Sequence, residues 1–110
     1  MALSVSCAYA DEREECERLA PKYQAKVEQV MPDGTRCDLL NCEYAIEVDW
    51  SYKWAEAVGQ SVLYAIWTDR QPAVLLLVRN AREEKAYLLR CKMVCDRLKI
   101  KMYIEKAGQP

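Results

Sequence analysis

The chain contains no histidine among its 110 residues. That absence removes the Ser-His-Asp and Cys-His nucleophile arrangements, the HExxH zinc site and imidazole as a general base. Any catalysis must run on carboxylates, lysine, tyrosine, cysteine or a bound metal. Six cysteines are present (Cys7, Cys16, Cys37, Cys42, Cys91 and Cys95), yet no two stand as CxxC. Zinc and iron–sulfur ligation therefore have little support. Cys91 and Cys95 fall at helical i,i+4 spacing and read as small buried hydrophobes. No apolar run approaches the ~18 residues a membrane helix needs, so no membrane partner is expected. Net charge is lacking too: a formal −1 argues neither for nor against a polyanionic partner.

What is present describes one globular domain, residues 1–110. The composition is 52% hydrophobic and 30% charged, and the length is enough for one core without staples. Charge is divided along the chain. Residues 1–60 carry 12 acids and 6 bases (−6), and residues 61–110 carry 5 acids and 10 bases (+5), which together give −1. An acidic half and a basic half fit a cation site beside a polyanion-binding surface, and equally fit two solvated faces of opposite sign. Cytoplasmic residence is the default expectation. Export is the alternative, because the cysteine count is even and Ala8-Tyr9-Ala10 resembles a signal-peptidase site, although the preceding MALSVSC is short and has no basic region.

Periodicity places the elements. Residues 10–21 read as a short polar helix ended by Pro21, with Cys16, Leu19 and Ala20 inward. Strands are expected at 24–31 and 35–40 around the Pro32-Asp33-Gly34 turn, and at 44–50 after a turn at 41–43. The period then changes to that of a helix from Tyr52 to about Thr68, broken by Gln71-Pro72. Residues 73–78 are apolar on both faces and read as a strand buried between two layers. A helix over 82–97 and a strand over 99–105 follow, with Ile100, Met102 and Ile104 on the strand's inner side. The tail from Ala107 to Pro110 is expected to be loose. The order is α-β-β-β-α-β-α-β, an α/β fold with a mixed central sheet flanked by helices.

Candidate chemistry concentrates in AIEVDWSYKW, residues 45–54. On a strand Ile46 and Val48 share one face and Glu47 and Asp49 the other. Two carboxylates so placed repel each other unless a cation lies between them. Asp38, on the neighbouring strand, comes within reach because cross-strand side chains lie ~4.5–5.5 Å apart. Asp38, Glu47 and Asp49 are hard oxygen ligands suited to Mg²⁺ or Mn²⁺. The bland alternative is that these acids face solvent at an open edge. Lys53, Ala57, Gln60 and Tyr64 then form one helical stripe, with Lys53 leaning toward the carboxylates and Gln60 and Tyr64 continuing the groove. The competing reading of that stripe is packing on the sheet, with Trp54, Val58, Val62 and Ile66 offering apolar contacts elsewhere.

Asp38, Glu47-Val48-Asp49 and Gln60-Ser61-Val62-Leu63-Tyr64, in this element order, resemble the PD-(D/E)XK, or restriction-endonuclease-like, nuclease superfamily, in its RecB-like QxxxY branch. The resemblance covers residues 24–104, and its motif is short and degenerate. It implies metal-dependent hydrolysis of DNA phosphodiesters by activated water. Asp38, Glu47 and Asp49 would be the metal set, and Lys53, Gln60 and Tyr64 would complete the catalytic group. Asp49 stands where the family's pattern has lysine, and Lys53 would supply the ammonium from the helix. The family often adds a glutamate near the site, for which Glu15 and Glu28 are candidates. Arg79, Arg82, Lys85, Arg90, Lys92, Lys99 and Lys101 are candidate phosphate contacts. Two further readings stay open: a catalytically weak or inactive module on this fold that binds nucleic acid or protein, and an exported disulfide-bonded protein with Cys16 paired to Cys37. So small a domain offers little surface to grip a duplex, so a homodimer is compatible with either nuclease-fold reading.

Overall fold

The structure, a computed structural model, describes residues 11–108. Cys7 and the Ala8-Tyr9-Ala10 segment lie outside the described residues. The elements are α1 (Glu12–Leu19), β1 (Lys26–Val30), β2 (Arg36–Leu40), β3 (Tyr44–Trp50), α2 (Trp54–Thr68), β4 (Gln71–Val78), α3 (Lys85–Leu98) and β5 (Lys101–Lys106). Short 3-10 turns occupy Ala20–Tyr23 and Ser51–Lys53. The α-β-β-β-α-β-α-β order read from periodicity is the order observed.

Local chemistry fixes the boundaries. Asp11 caps α1 by accepting the Glu14 N–H at 2.8 Å, while Glu14 Oε1 accepts the Asp11 N–H at 3.2 Å, a reciprocal capping box. The α-helix stops at Leu19, and Pro21 sits early in the 3-10 turn, where its missing N–H costs little. In the β1–β2 turn, Asp33 Oδ1 accepts the Thr35 N–H at 3.0 Å, and Gly34 takes φ +89°, a conformation that favours glycine. In the next turn Asn41 Oδ1 accepts the Glu43 and Tyr44 N–H groups at 2.9 and 2.6 Å.

The sheet runs β1-β2-β3-β4-β5 in spatial as in chain order. The first two pairings are antiparallel and the last two parallel. Each parallel step requires a right-handed crossover, and both steps advance in the same direction. Consequently α2 and α3 lie together on one face, and α1 covers the other. Toward α1, Ile46, Val48, Leu75 and Leu77 pack with Cys16 and Leu19. Toward α2 and α3, Val74 and Leu76 pack with Ala57, Val58, Cys91 and Cys95. A third cluster under the hairpin joins Met31, Cys37, Ala45 and Tyr64.

Several boundaries differ from expectation. Gln71 and Pro72 belong to β4 instead of breaking the chain before it. Pro72 pairs with Ala45 on one side, and β5 begins pairing only at Ala73, so proline sits at the strand start, where no ladder donor is needed. The second long helix begins at Lys85, because Glu84 Oε2 accepts the Arg79 and Asn80 N–H groups at 3.0 and 2.7 Å and holds residues 79–84 as a turn. On β5, Ile104 is 52% exposed, since no helix extends over that edge position. Val62 and Ile66 also face solvent. The tail is tied down at its start: the Ala107 N–H donates to Val78 O at 2.9 Å, and the Gly108 N–H to Glu15 Oε1 at 3.0 Å. Cys16 and Cys37 are separate buried free thiols, not a disulfide; each belongs to a different core cluster.

Candidate functional site

The site is created by a split in the sheet. β2 and β3 pair only at Leu39↔Ile46 and Leu40↔Ala45, although β3 continues to Trp50. Ahead of Leu39 on β2 and past Ile46 on β3 the strands part, and side chains replace the ladder. Asp38 Oδ2 accepts the Val48 N–H at 2.9 Å, and Asp49 Oδ1 accepts the Trp50 N–H at 2.9 Å. Glu47 and Asp49 alternate with Ile46 and Val48 as expected, but they are buried (6% and 4% exposed) instead of solvent-facing. Their parallel-ladder partners are Val74 and Leu76, so the acids lie beside an apolar surface.

Burial without water disfavours charge, and neighbouring carboxylates disfavour it further. The Glu47 pKa is pushed up to about 10 by burial and by Asp38, with Asp49 and Glu12 adding to the effect. Asp38 rises to about 6, driven by burial and restrained by the Val48 N–H and the Glu47 carboxyl. Asp49 is also raised by burial, restrained by Glu12, the Trp50 N–H and Lys53. Glu47 Oε1 is buried with no hydrogen-bond partner among the described residues. A carboxylate there is stabilised either by a proton shared with Asp38 or by a cation.

Glu12, the first residue of α1, is the member that sequence reasoning missed. It hydrogen-bonds Asp49, and its pKa rises to about 7, chiefly from burial and then from Asp49, with Asp38 adding and Lys53 opposing. The two glutamates singled out instead have other partners. Glu15 is buried against Arg18 at 2.7 Å and belongs to the anchor of the chain's end. Glu28 bridges Arg13 at 3.2 Å and Arg36 at 3.1 Å. The signal for Glu12 was available in the Asp11 cap: it fixes where the helix starts, and the first helical residue is held at the end of the sheet where β2 and β3 diverge.

The α2 stripe divides. Lys53 lies in the 3-10 turn ahead of the helix, close enough to Asp49 and Glu12 to favour their charged forms, and it makes no ion pair among the described residues. Gln60 is half-buried on the helix. Tyr64 is 4% exposed and belongs to the cluster under the hairpin, and burial raises its pKa. Tyr64 therefore packs on the sheet at the border of the carboxylates.

The candidate phosphate contacts also divide, because the parallel strands place their carboxyl ends, and the acids, at one end of the sheet. Arg79, Arg82 and Lys85 lie at that end. Lys99 and Lys101 precede β5 or begin it, and so lie at the other. Arg13 and Arg36, held by Glu28, belong to the acidic end and were not anticipated.

The oxygen donors suit a hard cation, and an orphaned buried carboxylate oxygen is the kind of atom such an ion satisfies. As the side chains stand, no group of three or more among the described residues is set to hold a metal ion. Cys16 and Cys37, the thiols beside the carboxylates, add no nucleophile there, because burial and the nearby carboxylates push both up. No helix among the described residues is long and apolar enough to cross a membrane.

No family model and no solved structure matches the chain. Among curated proteins, it is similar to a protein of Acanthamoeba polyphaga mimivirus described as putative KilA-N domain-containing protein L33. The two are 29% identical over 104 residues, 93% of this chain and 41% of the relative. The chain spans about two-fifths of that relative's length.

Proposed function

We propose that this domain is a nuclease-fold hydrolase that cuts DNA phosphodiesters with the aid of Mg²⁺ or Mn²⁺. The observation that carries the reading is the mutually repelling set of half-buried Glu12 and Asp38 with buried Glu47 and Asp49 in the split between β2 and β3, with Glu47 Oε1 left without a partner among the described residues. The resemblance to the PD-(D/E)XK pattern in Asp38, Glu47 and the Gln60–Tyr64 helix supports it, and the viral relative, described by the KilA-N domain it contains, adds support for DNA as the partner. Asp38, Glu47 and Asp49 would hold the cation, which supplies Lewis-acid charge neutralisation at the phosphate. Glu12 titrates near neutrality and is bonded to Asp49. In this reading it would take the proton of the attacking water as the phosphorus–oxygen bond to the leaving group breaks. Lys53 offers its ammonium to the developing phosphate charge.

The test is calorimetric titration of wild type and Asp38→Ala with Mg²⁺ and Mn²⁺, with plasmid nicking on the same samples. Metal binding and nicking, both lost in Asp38→Ala, are the expected result. Full-rate nicking by Asp38→Ala would sink the assignment. A second reading, a binding module without turnover, is favoured by Asp49 at the position where the resembled family has lysine. It predicts DNA retention with no nicking in any divalent metal.

A further inference from the structure

Among the described residues β5 is the last strand of the sheet, with β4 on one side only. One bond fixes how its backbone points: the Ala107 N–H donates to Val78 O on β4 at 2.9 Å. Alternation along a strand then turns the backbone groups of Lys101, Tyr103 and Glu105 toward β4, and those of Met102, Ile104 and Lys106 outward. The Lys106 carbonyl agrees, since it accepts an Arg18 guanidinium N–H at 3.2 Å. No residue of β5 is proline and none has a positive φ. The opposite edge differs: Glu28 takes φ +50° in the middle of β1, an irregularity of the kind that blunts an edge against pairing. β5 also leaves Ile104 exposed on its α3 side.

We propose that this edge pairs with β5 of a second copy of the chain, antiparallel across a twofold axis at Tyr103, so that two five-stranded sheets become one. In an antiparallel ladder outward-pointing residues must meet outward-pointing residues, which limits the pairing to registers that set even-numbered residues opposite each other. The register centred on Tyr103 sets Met102 against Ile104 of the second copy. On the α1 side it sets Lys101 against Glu105 of the second copy, twice by symmetry, and no like charges stand directly opposite. Lys101 makes no ion pair among the described residues. The partners of Glu105, Lys22 at 2.7 Å and the Tyr23 hydroxyl, both take Oε2, so Oε1 remains for the ammonium. On the α3 side a groove of about 360 Å³ bordered by Lys92, Asp96, Met102 and Ile104 receives Ile104 of the second copy, and covering these apolar side chains adds to the ion pairs. Sliding the register one way sets Lys106 against Met102 and takes the Lys106 carbonyl from Arg18. Sliding it the other way sets Lys101 against Tyr103 and carries Glu105 past the start of the strand. The pairing is independent of the hydrolysis reading.

Sedimentation velocity of the full chain at low ionic strength, over a series of concentrations, tests the surface. Wild type is expected to pass from monomer to dimer as concentration rises. Lys101→Glu and Glu105→Lys each turn two ion pairs into two like-charge pairs, and each is expected to weaken the dimer about tenfold. An equimolar mixture of the two variants restores both ion pairs in a mixed dimer and is expected to recover wild-type association. Ile104→Asp, at an exposed position, is expected to keep the chain monomeric. Thermal melting checks the fold of each variant. Lys101 and Ile104 are exposed, so their variants carry the test should Glu105→Lys, which loses Lys22 and Tyr23, fail to fold. A wild type that stays monomeric at every concentration overturns the proposal. So does a dimer indifferent to Lys101→Glu and Ile104→Asp, which would be built on another face. Weakening by both charge variants without recovery in the mixture overturns the register, and the proposal with it.

Discussion

Replacing Glu47 with glutamine isolates the cost of burying an acid in the split between β2 and β3. Glu47 is 6% exposed, and its pKa is pushed from 4.5 to about 10. In the unfolded chain a glutamate loses its proton near pH ~4.3. Between those values the folded protein holds one proton more than the unfolded chain. The contribution of Glu47 to stability is therefore fully present below the unfolded pKa and is lost as pH rises toward the folded one. One proton of linkage is worth about 1.4 kcal/mol per pH unit, so a Glu47 that stays protonated makes the folded protein lose a few kcal/mol between pH 6 and pH 8. Asp38 and Glu12, raised to about 6 and about 7, steepen the lower part of the same interval. Glutamine keeps the size of the side chain and removes its proton. Urea unfolding without divalent metal should show wild type losing stability from pH 6 to pH 8. Glu47→Gln should lose less by about 1.4 kcal/mol per unit and should melt higher at the alkaline end. Parallel stability–pH lines for the two proteins would refute the claim that Glu47 is protonated inside the fold.

The same linkage predicts that Mg²⁺ raises the melting temperature of wild type more at pH 8 than at pH 6, because the cation displaces protons; equal shifts at both pH values would argue against the carboxylates as its ligands. Glu28 adopts φ +50° in the middle of β1, so Glu28→Gly should be more stable than Glu28→Ala by about 1 kcal/mol in urea, since both lose the Arg13 and Arg36 pairs and only alanine keeps the strain. Leu76, fully buried between β3 and β5, should cost about 2–5 kcal/mol when cut to alanine. Ile66→Lys, at a site 73% exposed, should change stability by less than about 0.5 kcal/mol; a larger loss would mean that Ile66 is covered in solution.

The legible parts of the sequence were those governed by local chemistry. Apolar runs and their period gave β3, β4 and α2 because alternation and helical spacing report burial directly. Turn residues gave the hairpin because Asp33 and Gly34 act on their own neighbours. Asp38, Glu47 and Asp49 were recognisable as a set, since a strand of known direction dictates which residues share a face. Illegible were the outcomes that depend on what a distant element covers. Ile66 and Ile104 have inward-looking patterns but no partner layer at their positions, and Tyr64 reads as a groove residue until the hairpin is seen to lie over it. Arg79 and Lys101 look alike in a charge count, yet parallel strands send one to the acidic end of the sheet and the other to the opposite end.

By itself, then, the sequence determined the element order, the absence of imidazole chemistry and the identity of three converging acids, because each follows from residue type, period or spacing within one strand pair. Only the tertiary structure decided that β2 and β3 pair no further than Leu39 and Ile46, leaving Asp38 and Val48 in the split, that Glu12 and not Glu15 meets Asp49, and that the acids are buried. Those depend on where α1 docks and on how far a ladder runs, and both are set by packing across the whole sheet.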